Sequence, residues 1–100
     1  MNSIVLTHHT DYSQITINRP QALNALNAEV FSELDSVLSG SLPETSRLLV
    51  ITGSGEKAFA AGADITEFSD LSGPAARELS RRGQIIFDKL STLSIPTLAL

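Results

Sequence analysis

Leu48-Leu49-Val50-Ile51 is an uninterrupted apolar run, and it ends abruptly in Thr52-Gly53-Ser54-Gly55. A run with no polar alternation is what a parallel strand covered on both faces requires. A second tract of small residues, Ala60-Ala61-Gly62-Ala63, follows and leads into Asp64-Ile65. A strand that delivers the chain into methyl and hydrogen side chains lets a ligand lie against bare backbone, with N–H groups free to point at a bound oxygen. Holding an oxyanion is the usual reason to build such a place.

The elements around that run point to an α/β arrangement. Ile4-Val5-Leu6-Thr7 reads as a strand, His9-Thr10-Asp11 as a turn, and Gln14 to Asn18 alternates with period two, which predicts an antiparallel hairpin. Arg19-Pro20 ends it, because proline cannot continue the ladder. Asn27 is placed to cap a helix through Ser39, with Val30, Phe31, Leu34, Val37 and Leu38 on one apolar stripe and Gly40 at the position of a C-terminal glycine. Strand, helix, strand in that order implies a right-handed crossover. Ser72-Gly73-Pro74 opens a longer helix whose buried face is marked by Leu79, Ile86, Leu90 and Leu93, joined by Phe87. Ser94-Ile95-Pro96 closes it, and Thr97 to Leu100 begins what reads as another buried strand. A chain that stops inside a strand is expected to be the N-terminal portion of a longer α/β protein.

Composition removes several classes of function. The 100 residues contain no cysteine, which excludes a disulfide framework, a zinc–cysteine site and a thiol nucleophile. The net charge is −4 and the seven basic residues are scattered, so the basic stripe of a nucleic-acid surface is missing. No apolar run approaches the roughly 20 residues of a membrane span. The opening Met1-Asn2-Ser3-Ile4 has neither the basic nor the long apolar region of a secretion signal, so a cytoplasmic protein is expected. His8 and His9 fall in the expected hairpin turn, a poor place for a metal or a base.

Three motifs remain. Gly53-Ser54-Gly55-Glu56-Lys57-Ala58 fits the glycine pattern of a dinucleotide-binding turn, but the acid that should end the next strand is replaced by Asp70, just before the helix start at Ser72. Ala60 to Ile65 can also be read as a helix first turn, with Asp64 favouring its N-terminus; free N–H groups and a positive dipole end suit an oxyanion equally well. Asn18-Arg19-Pro20 and Asn24-Ala25-Leu26 form a polar loop between strand and helix.

Taken in order, "INRPQALNALN", "VITGSGEKAFAAGADITEF" and the closing "IPTLAL" resemble the enoyl-CoA hydratase/isomerase (crotonase) superfamily, and the resemblance runs along the whole chain. It implies an α/β fold, the ββα spiral of the ClpP/crotonase-like type, with residues 1–100 as the N-terminal part of that domain. It further implies that the peptide N–H of Ala63 is one of two oxyanion-hole donors. Ala61, Gly62, Ala63, Asp64 and Ile65 would line the acyl-CoA pocket by their main chain, and Gln21, Leu23 and Ala25 would flank the CoA moiety. Gln21 and Thr66 stand where the superfamily often has basic residues, which removes two expected charge contacts to the CoA phosphates.

The implied activity is addition of water to 2-enoyl-CoA thioesters, with coenzyme A as part of the substrate and no separate cofactor or metal. Isomerase, hydrolase and decarboxylase members of the superfamily share the oxyanion loop, and a non-catalytic acyl-CoA binder is the alternative outside catalysis. The second oxyanion amide and the acid/base carboxylates are expected beyond Leu100. Glu67 and Asp70 read as helix-surface residues, and these 100 residues alone are expected to be inactive or nearly so. Full-length members are expected to form homotrimers or hexamers.

Overall fold

The computed structural model describes residues 3–40, 42–43, 45–55 and 72–100. Four strands form a single sheet in the order β1 (Ile4–His8), β2 (Tyr12–Ile17), β3 (Leu48–Gly53) and β4 (Thr97–Ala99). β1 and β2 make the expected antiparallel hairpin, with Ile4 opposite Ile17 and Leu6 opposite Ile15. β2 and β3 run parallel, with Ile15 opposite Ile51, and β4 continues the parallel set with Ala99 opposite Ile51. The intervening helices are α1 (Ala28–Leu38) and α2 (Gly73–Ser91).

Alternation decides which face of the sheet is buried. Ile15 and Ile17 of β2 share a face with Ile4 of β1 and Leu49 and Ile51 of β3, and α1 and α2 cover it with Val30, Phe31, Leu34, Val37, Leu79 and Ile86. Val50 is buried on the opposite face, so β3 is covered on both sides, as its apolar run requires. The two helices are also joined at their polar edges. The Arg82 guanidinium donates to the Ser32 hydroxyl at 2.7 Å, and Lys89 pairs with Asp35.

Both helix starts follow from their capping residues. Asn27 is extended and its side-chain oxygen accepts the Val30 N–H at 2.9 Å; the Ser72 hydroxyl does the same for Ala75 at 3.3 Å. Four expectations are corrected. Gly40 does not take the left-handed conformation, because Ser39 N–H already bonds Asp35 and Gly40 N–H closes a tight turn on Val37. Phe87 is 51% exposed and meets the buried Phe31 ring edge-on. β4, expected as a buried strand, is exposed in these 100 residues, with Leu98 45% open. His8 belongs to β1 and not to the turn; its ring nitrogen bonds the Ser13 hydroxyl at 3.0 Å.

Candidate active site

Because β2 and β3 are parallel and adjacent, the chain leaves both at the same edge of the sheet, at Ile17 and Gly53. The loops that follow carry the two sequence constellations singled out above. The carboxyl ends of neighbouring parallel strands are where open α/β sheets form ligand crevices.

Hydrogen bonds stitch the two loops together. Ser54 N–H donates to the Ile17 carbonyl at 2.8 Å, and the Ser54 hydroxyl donates to the side-chain oxygen of Asn18 at 3.0 Å. The Asn24 amide nitrogen donates to the Ser54 carbonyl at 2.9 Å, while its oxygen accepts the Arg19 N–H at 2.9 Å. Gly55 is left-handed, with φ +82°, and a Cβ built on it would lie 3.4 Å from Cβ of Pro20. The left-handed conformation favours glycine there, while a Cβ would meet Pro20 at ordinary contact distance.

Residues 19–25 fold into a compact reversal. Pro20–Ala22 is a short 3-10 turn, closed by Ala22 N–H to the Arg19 carbonyl at 3.0 Å and Leu23 N–H to the Pro20 carbonyl at 3.1 Å. Leu23 and Asn24 are then consecutively left-handed, with φ of 52° and 58°. That conformation costs about 1–2 kcal/mol for an ordinary side chain and less for asparagine. The result lifts Gln21 and Leu23 into solvent, Leu23 being 48% exposed, and buries Asn24 and Ala25. Backbone strain at an exposed apolar residue above a strand edge is a feature of binding sites. The loop's one charged side chain, Arg19, folds back to donate to the Ala25 carbonyl.

Gln21 and Leu23 lie exposed on this loop and Ala25 is buried at its end, and Asn24 anchors the loop to Ser54 at the turn after β3. Ala61, Gly62, Ala63, Asp64 and Ile65 lie outside the described residues, as do Thr66, Glu67 and Asp70. The sequence singled out the motifs that contain Asn18, Asn24 and Ser54, but gave none of the three a role in joining the loops. The available signal was Asn24 itself, one of the few non-glycine types that enters the left-handed region readily. Residues 18–27 contain no carboxylate, histidine or thiol, so this loop can recognise a ligand but cannot move a proton. Among the described residues, no group of His, Asp and Glu is placed to hold a metal ion. Away from this loop, the Lys89 ammonium holds Asp35 below the usual carboxylate range at the seam between α1 and α2.

Known proteins resemble this chain in sequence and in fold. The enoyl-CoA hydratase/isomerase family model matches residues 9–100. A short-chain-enoyl-CoA hydratase from Clostridium acetobutylicum is 38% identical over 99% of the chain, and a crotonyl-CoA hydratase from Syntrophomonas wolfei is 39% identical over 97%. The crystal structure of an enoyl-CoA hydratase from Bacillus anthracis superposes with a TM-score of 0.90 over 97% of the chain, at 27% identity. The chain spans 38% of the length of each of these three proteins. With its loops arranged at the carboxyl edge of a crotonase-type sheet, the chain belongs to the enoyl-CoA hydratase/isomerase family.

Proposed function

We propose that the protein carrying this chain adds water across the double bond of 2-enoyl-CoA thioesters, and that residues 18–27 and 54–65 form the CoA-facing part of its site. The observation that supports this best is the joining of the two loops at the strand edge in a chain 38–39% identical to relatives named as short-chain-enoyl-CoA and crotonyl-CoA hydratases.

The chemistry requires little of this segment beyond backbone. Water adds to C3 of the enoyl group, the electron pair of the double bond moves toward the thioester, and negative charge collects on the thioester oxygen as an enolate. A proton is then delivered to C2. The N–H of Ala63 supplies one hydrogen bond to that oxygen, and such a donor stabilises the charge by roughly 3 kcal/mol. Gln21, Leu23 and Ala25 flank the CoA moiety, and Ala61, Gly62, Asp64 and Ile65 line its pocket through main-chain atoms. Activation of water needs a carboxylate, and residues 18–27 offer none, so that group comes from elsewhere in the protein. Coenzyme A enters as part of the substrate, with no further cofactor, and the active species is a homotrimer or hexamer.

The family description also names isomerases, which share the enolate and differ in the group that moves the proton. Loss of the conjugated thioester absorbance of crotonyl-CoA, suppressed by acetoacetyl-CoA as competitor, is the expected result for the full-length protein. Tight binding of acetoacetyl-CoA without turnover would move the function to an isomerase, a hydrolase or a binder. Neither binding nor turnover would overturn the assignment of the site.

A further inference from the structure

We infer that Asn24 is the positioning residue of the CoA-facing loop, fixing residues 19–25 to Ser54 at the end of β3. This rests on the acyl-CoA reading above and assigns a role to a residue that faces no ligand itself.

Asn24 is 1% exposed, although Leu23 immediately before it is 48% exposed. A buried polar side chain persists where its hydrogen bonds are made, and the Asn24 bonds are divided between two chain segments 30 residues apart. Its oxygen takes the Arg19 N–H within its own loop, at 2.9 Å; its nitrogen reaches the Ser54 carbonyl across to the other, at 2.9 Å. An amide is the side chain suited to that division, offering an acceptor and a donor at once. Its left-handed φ of 58° turns the backbone so that its own N–H also bonds the Arg19 carbonyl, at 2.8 Å. The neighbouring link from the Ser54 hydroxyl to Asn18 is exposed at 3.0 Å, so Asn24 is the buried member of the stitch.

Two substitutions separate the parts of this role. Asn24→Gly keeps the left-handed backbone without strain and removes both side-chain bonds. Asn24→Asp keeps the acceptor for Arg19 and, at neutral pH, sets a carboxylate oxygen against the Ser54 carbonyl, so it breaks the link between loops alone. Because residues 19–25 contact the non-reacting part of the substrate, both variants of the full-length protein are expected to raise the KM for crotonyl-CoA and the Kd for acetoacetyl-CoA by about tenfold or more, with kcat changed less than about threefold. Leu79→Ala, a substitution in the core cluster outside residues 18–27 and 54–65, is expected to lower stability while leaving both constants within about twofold. Folded Asn24 variants whose KM and Kd match the parent would overturn the proposal and leave the acyl-CoA function standing. A parent protein that neither binds nor turns over these thioesters would overturn both.

Discussion

Gly83→Ala should destabilise this fold although alanine is the better helix former. Gly83 lies in the buried face of α2, directly over the ring of Phe31 from α1. A Cβ built on it would stand 2.9 Å from Cζ, 3.3 Å from Cε2 and 3.5 Å from Cε1 of that ring. Carbon atoms pack comfortably at about 3.5–4.0 Å, so ring or helix must give by roughly 0.6 Å. Phe31 is 5% exposed and meets Phe87 edge-on at 6.4 Å and 87°, so it has little room to retreat. Overpacking of this kind costs about 1–3 kcal/mol. Alanine returns about 0.8–1 kcal/mol of helix propensity. The net expectation is a loss of about 1 kcal/mol. The sign should reverse in a Phe31→Leu background, where no ring tip remains and alanine contributes its full propensity of about 1 kcal/mol. Urea unfolding of the four members of this cycle, followed by circular dichroism, measures a coupling of about 2 kcal/mol. Equal stabilisation by Gly83→Ala in both backgrounds would refute the contact.

Other expectations follow from the same structure. Asn27→Ala removes the side-chain acceptor for the Val30 N–H and should cost about 1 kcal/mol in urea unfolding. The Lys89 ammonium lowers the Asp35 pKa in the folded state, so the pair stabilises the fold above the ordinary carboxylate range and loses that effect as pH falls through the folded value. The stability difference between the parent and Asp35→Asn should therefore be present at neutral pH, fade in acid, and shrink with added salt. Gln21 is exposed beside the expected CoA position, and Gln21→Lys should lower the KM for crotonyl-CoA by about two- to fivefold at low ionic strength, with no effect in high salt.

Much of the architecture was legible because its signals are local. Asn27 and Ser72 announce their helices by capping chemistry, Pro20 stops a strand, and the Leu48–Ile51 run marks a doubly covered one. What escaped were properties set by partners distant in sequence. Phe87 is apolar like a core residue, but the buried face of α2 is centred on Leu79, Gly83 and Ile86, with Gly83 against Phe31 of α1. At the site, the resemblance to crotonases pointed to Gln21, Leu23 and Ala25, yet the bond that holds their loop runs from Asn24 to Ser54, and no sequence period links those positions. The left-handed pair Leu23–Asn24 is equally silent, since leucine gives no sign of a positive φ.

The measurement that bears most directly on the proposed chemistry is the kcat for crotonyl-CoA hydration by full-length Ala63→Pro against Ala63→Gly, with acetoacetyl-CoA affinity recorded for each. Proline removes the peptide N–H and glycine retains it. If that N–H holds the enolate oxygen, the proline variant falls by about 100-fold or more relative to the glycine variant. Equal kcat values in two folded, ligand-binding variants would contradict an oxyanion donor at Ala63.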